Sequence, residues 1–266
     1  MTPETFLARN IPAILIEIAA TKGSAPRETD AFMLVSATEI YGTVGGGHME
    51  FIAIDNARAL LAQTGGTDRL DIPLGPEIGQ CCGGRVELVF SRAEGENLAR
   101  FCRKLKQERE TQPSVWLFGG GNVGKALADC LSLLPLNVHA VETRQSELDH
   151  LPPSVKQHLT PMPEALVSAI RPGSAVLVVT HDHALDFLIA KEALARSDLA
   201  YVGMIGSKTK RATFASWLTR EGGETGDLAR LTLPIGGIAV RDKRPEIIAA
   251  LTAAELLAAF AAYDRR

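Results

Sequence analysis

The start of the chain alternates short apolar runs with turn residues. The runs are PAILIEIAA, AFMLVSA and EIYGTVGG, and apolar positions then recur at helical spacing over residues 48–63. The first pattern predicts strands, and the second predicts a helix. Further strands are predicted over about 70–74 and 85–91. Together these elements predict an N-terminal α+β domain over residues 1–110.

Beyond a charged helix predicted over 94–110, apolar strands alternate with longer helical segments. This alternation is typical of a parallel sheet built from βαβ units. The predicted fold class is therefore α/β, with a Rossmann-like doubly wound parallel sheet over residues 111–266. The proline-rich stretch 152–163 is predicted to be a loop. The predicted strands are SVWLF, NVHAV, AVLVV and LAYVGMIG, and the predicted helices cover 122–134, 184–195, 207–219 and 245–262.

Composition excludes several classes of protein. With 46% hydrophobic and 22% charged residues, the chain has the balance of an ordinary folded protein. A net charge of −3 and the lack of a long basic run give no support to nucleic-acid binding. Four cysteines are too few for a disulfide framework, and we expect no membrane span, which needs roughly 20 apolar residues. We therefore expect a cytoplasmic protein.

A glycine-rich turn follows the strand VWLF and precedes an apolar helix. It contains Gly119, Gly121, Asn122 and Gly124, and its glycines fit the pattern G-x-G-x-x-G. In this context the glycines allow a tight turn, the approach of a pyrophosphate and close packing of helix and strand. Glu142 ends the next strand, where an acidic side chain can accept hydrogen bonds from ribose hydroxyls. The alternative is a structural turn that binds no nucleotide.

Other polar residues are predicted at the same edge of the sheet, because the carboxyl ends of parallel strands face one crevice. His181 follows the strand AVLVV, and Ser207 with Lys208 begins a later helix. Asp186, in the first turn of the helix after His181, is expected to interact with the helix dipole. His181 and His183 lack a third ligand nearby in sequence, so no metal site is predicted.

The first domain holds a second glycine-rich strand-to-helix turn, in which Gly46, Gly47 and His48 form a candidate anion site. Arg27 follows the turn Gly-Ser-Ala-Pro and could add a cation. Each of these turns alone could be structural.

The adjacent pair Cys81-Cys82 is followed by two glycines and Arg85. In an extended chain neighbouring side chains point to opposite faces, so one thiol at most addresses a given site. A nearby Arg85 would lower the pKa of that thiol and favour the thiolate. The alternative is a pair of inert buried cysteines.

Several ordered blocks, taken together, resemble the XdhC/CoxI family, the accessory proteins of molybdenum-containing hydroxylases such as xanthine dehydrogenase. The resemblance covers nearly the whole chain. The blocks that carry it are GSAPRE (23–28), GTVGGGHME (42–50), GQCCGGRV (79–86), the glycine turn (119–124), THDHALD (180–186), YVGMIGSKTKRA (201–212) and LPIGG (233–237).

The resemblance implies a chaperone that binds molybdenum cofactor (molybdopterin), protects it while a cysteine desulfurase sulfurates it, and delivers it to an apo-hydroxylase. Such a protein needs no catalytic residue. The implied cofactor site includes Cys81 or Cys82 near the metal, with the first-domain loops supplying much of the rest. A homodimer is compatible with this role.

Two other functions remain open at this stage. One is an NAD(P)-dependent oxidoreductase, supported by the glycine turn and Glu142. Against it, the three tyrosines do not form a Tyr-x-x-x-Lys pair. The other is an interaction adaptor whose nucleotide fold is empty.

Overall fold

A computed structural model describes residues 2–23, 29, 31–75, 83–223 and 225–265 of the chain. The chain divides into two units, Met1–Lys106 and Gln107–Arg266. The division falls inside a helix, Gly95–Thr111, whose last residue coincides with the start of the predicted second domain.

The N-terminal unit is built on a five-stranded sheet in the order β3-β2-β1-β5-β4, with antiparallel pairing throughout. One face packs against α2 through a core that includes Ile16, Met33 and Met49. Phe6 and Phe101, from α1 and α3, belong to a second core cluster. The elements are α1 (Pro3–Arg9), β1 (Ile14–Lys22), β2 (Phe32–Val35), β3 (Ile40–Gly42), α2 (Gly47–Ala62), β4 (Arg69–Pro73), β5 (Arg85–Arg92) and α3 (Gly95–Thr111).

The C-terminal unit is a six-stranded parallel sheet in the order β11-β10-β9-β6-β7-β8. This order reverses direction between β6 and β9, which confirms the doubly wound sheet and places the crevice at that point. The elements are β6 (Ser114–Phe118), α4 (Asn122–Leu131), β7 (Asn137–Glu142), α5 (Gln145–Leu148), β8 (Lys156–Leu159), β9 (Ala175–Val178), α6 (His183–Leu194), β10 (Tyr201–Met204), α7 (Lys208–Arg220), β11 (Leu231–Thr232) and α8 (Pro245–Tyr263), with 3-10 helices at Pro163–Ala169 and Thr225–Arg230.

Two hydrophobic clusters cover the two faces of this parallel sheet. Val115 and Leu117 of β6 pack with α4 and α8 on one face. Phe118 and Val178 pack on the other face with residues of α6 and α7. Burial on both faces explains why the central strands are almost continuously apolar in sequence.

The structure corrects the expected loop over 152–163, which contains the edge strand β8. The sequence of β8, Lys-Gln-His-Leu, is polar because the strand pairs only with β7 and leaves three of its four side chains exposed. An edge strand of this kind lacks the apolar signal used to predict the others.

The sequence is expected to contain no stretch long and apolar enough to span a membrane, and this expectation also needs correction. Among the described residues, α8 is long and apolar enough to cross a membrane by length and composition alone, with a mean hydropathy of 1.6. Its residues Ala249, Ala253, Leu256 and Phe260 are buried in the core of the C-terminal unit. Of this apolar window, 28% is buried, and a single helix of this length and composition is weak evidence for a membrane span.

Candidate functional site

The glycine turn joins β6 to α4, as the sequence predicts. Gly119 has a φ of +116°, and a Cβ there would lie 2.6 Å from the carbonyl oxygen of Val179. A Cβ at Gly124 would lie 2.0 Å from the carbonyl oxygen of Gly119. These two glycines are therefore required by close packing of the turn against β9 and of α4 against the turn.

Gly121 differs from both, because a Cβ added to it would meet no atom within 4 Å. It is the N-cap of α4 and has no side chain to cap the helix. The first N–H groups of α4 are thus accessible to an anion. Asn122, the first residue of α4, lines a cavity of about 470 Å³ together with Lys125 and Pro245.

Glu142 is only 4% exposed and holds the turn in place. Its Oε1 accepts a hydrogen bond from Gly120 N (3.2 Å), and its Oε2 accepts from Thr143 N (2.7 Å) and Arg144 N (3.1 Å). Burial alone raises the pKa of this carboxyl, but these hydrogen bonds and the Arg144 guanidinium outweigh it, so the pKa of Glu142 lies below its ordinary value. Both carboxylate oxygens are engaged by the protein.

The space beside Glu142 is small. A cavity lined by Glu142, Thr143, Thr180 and His181 has a volume of about 10 Å³, enough for a single water molecule. An adenosine at this edge needs the surrounding loops to open. The role of Glu142 as an acceptor for ribose hydroxyls stays a prediction.

Arg144 brings His181 to the same edge. Its guanidinium Nη2 lies 3.3 Å from His181 Nδ1, 3.2 Å from Glu147 Oε1 and 3.7 Å from Glu142 Oε1. The predicted position of His181 beside the crevice therefore agrees with the geometry. In the part of the chain that the structure describes, no group of three or more His, Cys, Asp or Glu side chains could hold a metal ion.

Asp186 does more than interact with a helix dipole. It is fully buried, and its Oδ1 accepts hydrogen bonds from Thr180 N (3.1 Å) and Thr180 Oγ1 (2.7 Å). Its Oδ2 lies 2.5 Å from Lys210 Nζ. The pair joins the carboxyl end of β9 to α6 and α7. Sequence reasoning missed Lys210, because the burial of Asp186, which requires a cationic partner, is not visible in the sequence.

Ser207 and Lys208 lie where the sequence places them. Ser207 caps α7 by accepting a hydrogen bond from Lys210 N at 3.3 Å. Lys208 lines a cavity of about 500 Å³ together with Arg241 and Lys243. Among the described residues, no carboxylate forms an ion pair with any of these three cations, and the acidic residue of the lining, Asp242, pairs with Arg244, so the lining has an excess of cations.

The second glycine turn, in the N-terminal unit, already holds an anion of its own. Oε1 of Glu50 accepts hydrogen bonds from Thr43 Oγ1, from Val44 N (3.1 Å) and from Gly46 N (2.9 Å). The Glu50 carboxylate thus contacts the turn that precedes Gly47 and His48, and His48 itself is exposed. The assignment of these residues to a cofactor site stays a prediction.

Arg27, Cys81 and Cys82 lie outside the described residues. Arg85 begins β5, and its guanidinium lies 2.5 Å from Asp71 Oδ2, which neutralises part of its charge. Described residues next to the two segments are in contact. A Cβ added to Gly23 would lie 3.3 Å from Gly84 Cα, so the chain before residues 24–28 touches the chain after residues 76–82.

Comparison with known proteins decides the family. A family model described as the XdhC Rossmann domain matches residues 115–256, and one described as the XdhC and CoxI family matches residues 6–72. The chain belongs to the XdhC and CoxI family. This family assignment agrees with the parallel sheet of the C-terminal unit and with the resemblance found in the sequence blocks.

Two individual proteins are similar to this XdhC and CoxI family member. An uncharacterised protein, YqeB of Escherichia coli K12, is 26% identical over 256 residues, which are 94% of this chain and 44% of that protein. The chain thus spans less than half the length of this relative. A crystal structure described as a xanthine dehydrogenase from Bacillus halodurans has a TM-score of 0.75 at 17% identity, over 97% of this chain and 94% of that one. At this identity the likeness concerns the fold.

Proposed function

We propose that the protein is an accessory chaperone that binds molybdenum cofactor, supports its sulfuration and delivers it to a molybdenum hydroxylase of the xanthine dehydrogenase type. Membership of the XdhC and CoxI family supports an accessory role beside such an enzyme. The cofactor is the cargo of this protein, and the steps proposed for the chain are binding, shielding and release.

The contact between Gly23 and Gly84 carries this proposal. Gly23 precedes the segment that contains Arg27, and Gly84 follows the segment that contains Cys81-Cys82. A molybdopterin presents a phosphate and a sulfur-ligated metal, for which an arginine and a thiolate are suitable partners. We propose that these two segments supply both groups to one site.

The C-terminal unit offers complementary sites for the phosphate of such a cargo. The accessible N–H groups of α4 at Gly121 form one site, and the cavity with Lys208, Arg241 and Lys243 forms another. Both have the positive character that a phosphate requires. Each unit thus contains features that fit part of the cofactor.

The partners follow from the role. A cysteine desulfurase would supply the sulfur, the apo-hydroxylase would receive the cofactor, and a homodimer would present two loaded sites. We place this exchange in the cytoplasm.

The direct test measures pterin and molybdenum bound to the purified full chain. Protein from cofactor-competent cells should release a fluorescent oxidised pterin together with molybdenum, and protein from cofactor-deficient cells should release neither. One of the two variants Cys81→Ser and Cys82→Ser should retain several-fold less cofactor, because serine is a harder and far less acidic ligand. Cys102→Ser, at an exposed cysteine of α3 in the N-terminal unit, is the matched control. Wild-type retention in both variants would remove the thiol from the proposal.

The accessible cradle at Gly121 favours one rival function, an oxidoreductase that uses NAD(P). Titration of the protein with NADH and NADPH, followed by nucleotide fluorescence, separates this rival from a chaperone with no nucleotide. Saturable binding that is lost in Gly121→Val would support a working nucleotide site. If neither nucleotide binds saturably, the N-terminus of α4 at Gly121 remains a candidate site for the phosphate of the molybdenum cofactor.

A further inference from the structure

A further cavity, of about 530 Å³, lies in the N-terminal unit. It is formed where β1 begins and β2 ends, between the C-terminal ends of α1 and α2. Its volume lies within the range of small-molecule sites. The lining residues are Arg9, Asn10, Ile11, Pro12, Ser36, Ala37, Thr38, Arg58, Leu61 and Ala62.

Two guanidinium groups in this lining lack a counter-ion. In the described ranges, neither Arg9 nor Arg58 forms an ion pair with a carboxylate. The Nε of Arg58 is buried and has no hydrogen-bond partner. A buried donor without an acceptor is costly for a folded protein, so Arg58 is not held in place by a hydrogen bond from this atom, and its guanidinium is left for a ligand that brings an acceptor to the cavity.

Two other polar side chains of the cavity are hydrogen-bonded within the protein. Ser36 Oγ donates to Asn10 Oδ1 (3.3 Å) and accepts from Glu39 N (2.9 Å), while Asn10 Nδ2 donates to Glu39 Oε2 (3.0 Å). The arginines, together with the hydroxyl of Thr38, are therefore the side-chain donors of the lining that can serve a ligand.

The C-terminal ends of α1 and α2 also border the cavity, and their partial negative charge opposes the charge of the arginines. The C-terminal end of a helix carries roughly half a negative charge, and the effect fades within one turn. Two full guanidinium charges are balanced by two such ends together with the carboxylate of Glu39, which accepts a hydrogen bond from the lining residue Asn10. The attraction for an anion therefore comes from the directed N–H groups of the arginines and not from a net charge, while the side formed by Ile11, Pro12, Leu61 and Ala62 is apolar. Ile11 is 67% exposed at this side.

The cavity is distant from the described residue that follows the cysteine-containing segment 76–82. In the β1–β5 pair, Ile14 lies opposite Arg92 and Lys22 lies opposite Arg85. The cavity adjoins the Ile14 end of this pair, and Gly84, next to Arg85, adjoins the Lys22 end, roughly 26 Å away at about 3.3 Å per residue.

We infer that this cavity binds a small organic oxyanion, a phosphate ester or a carboxylate on an apolar body, through the side chains of Arg9 and Arg58. Guanidinium groups match both oxyanions with paired hydrogen bonds, and the apolar side accepts the rest of the molecule. The inference does not rest on the proposed chaperone function.

Calorimetric titration of the full chain with three probes tests the site. Phenyl phosphate and benzoate carry the two oxyanions, and benzyl alcohol carries the same ring without charge. At least one anion should bind saturably, and the alcohol should bind about tenfold more weakly or not at all, since it cannot form charge-assisted hydrogen bonds. The stronger of the two anions identifies the ligand as a phosphate or a carboxylate.

Substitutions then locate the binding. Arg58→Gln and Arg9→Gln should each weaken the anion about tenfold, and the double variant should abolish saturation. Arg69→Gln, which removes an exposed arginine paired with Glu87 in the same unit, is the matched control and should bind as the wild type does. Thermal unfolding verifies that each variant is folded. Three results would overturn the inference: no saturable binding of phenyl phosphate and none of benzoate, binding of benzyl alcohol as strong as that of the anions, or wild-type affinity in the double variant.

Discussion

Lys210 Nζ lies 2.5 Å from Asp186 Oδ2, and the two side chains are 11% and 0% exposed. Thr180, at the carboxyl end of β9, donates two hydrogen bonds to the other oxygen of Asp186. One carboxylate therefore fixes the crevice end of a central strand to two helices. Gly206 leaves the room that Lys210 needs, because a Cβ there would lie 2.7 Å from Lys210 Cδ.

Lys210→Met should lower the free energy of unfolding of the C-terminal unit by about 3 kcal/mol, because it leaves a buried carboxylate without its counter-ion. Asp186→Asn with Lys210→Met should lower it less than Lys210→Met alone. Urea unfolding followed by tryptophan fluorescence measures this, since Trp116 and Trp217 both belong to that unit. Arg244→Gln, at an exposed pair with Asp242, should leave the midpoint unchanged. A similar midpoint for Lys210→Met and the control would contradict the prediction.

Two alanine substitutions in the glycine turn should differ strongly in their effect on stability. Gly124→Ala should destabilise the unit by about 3 kcal/mol, because the new Cβ overlaps the carbonyl oxygen of Gly119. Gly121→Ala should change stability by less than about 0.5 kcal/mol, since its Cβ meets open space. The same urea experiment checks both variants. Equal destabilisation would show that the turn is packed differently.

Glu142→Gln should destabilise the C-terminal unit by about 2 kcal/mol at neutral pH, because a carboxylate that accepts three backbone N–H bonds becomes a neutral amide. Since the pKa of Glu142 is lowered on folding, its contribution is complete above the ordinary value of 4.5 and is lost as the pH falls through the folded pKa. Unfolding free energies of the wild type and the variant should therefore converge in acid. A constant difference across that range would rule out ionisation as the cause.

His139 predicts a second pH dependence, at higher pH. Its ring stacks on Trp116 with centroids 4.2 Å apart, and its Nδ1 lies 3.0 Å from His158 Nε2. Burial, followed by the charges of Lys156, His158 and Arg171, lowers the pKa of His139 from 6.5 to about 4. Between about pH 4 and pH 6.5 His139 is therefore protonated in the unfolded chain and neutral in the folded chain. Stability should fall as the pH drops from about 6.5 to about 4.

The free energy of unfolding should fall by about 1–2 kcal/mol over this pH range, after allowance for the partial exposure of the His139 ring. His139→Phe keeps a ring against Trp116 and cannot ionise, so it should flatten this part of the stability profile. Urea unfolding at a series of pH values measures the effect. An unchanged slope in the variant would assign the dependence to another group.

The strand, glycine turn and helix at residues 114–131 could be predicted from sequence because each element is local. The apolar run, the glycines and the helix start follow one another along the chain, and no distant contact is needed to recognise them. Ser207 as a helix cap was predictable for the same reason.

Features that depend on distant contacts could not be predicted in this way. Lys210 is 24 residues from Asp186 and belongs to a different helix, so nothing local couples the two residues. The cavity with Arg9 and Arg58 arises only when the ends of two helices meet beside β1. The strand β8 is recognisable only by its pairing with β7, because its side chains are polar.

The two outer strands of the parallel sheet make self-association through strand addition unfavourable. At one border β8 exposes Lys156 and Gln157, and at the other border β11 pairs through only two residues. A charged or very short border strand offers a poor template for the backbone of another molecule. Backbone pairing between copies of the chain at these two borders is therefore disfavoured, and replacement of Lys156 by an apolar residue should favour it.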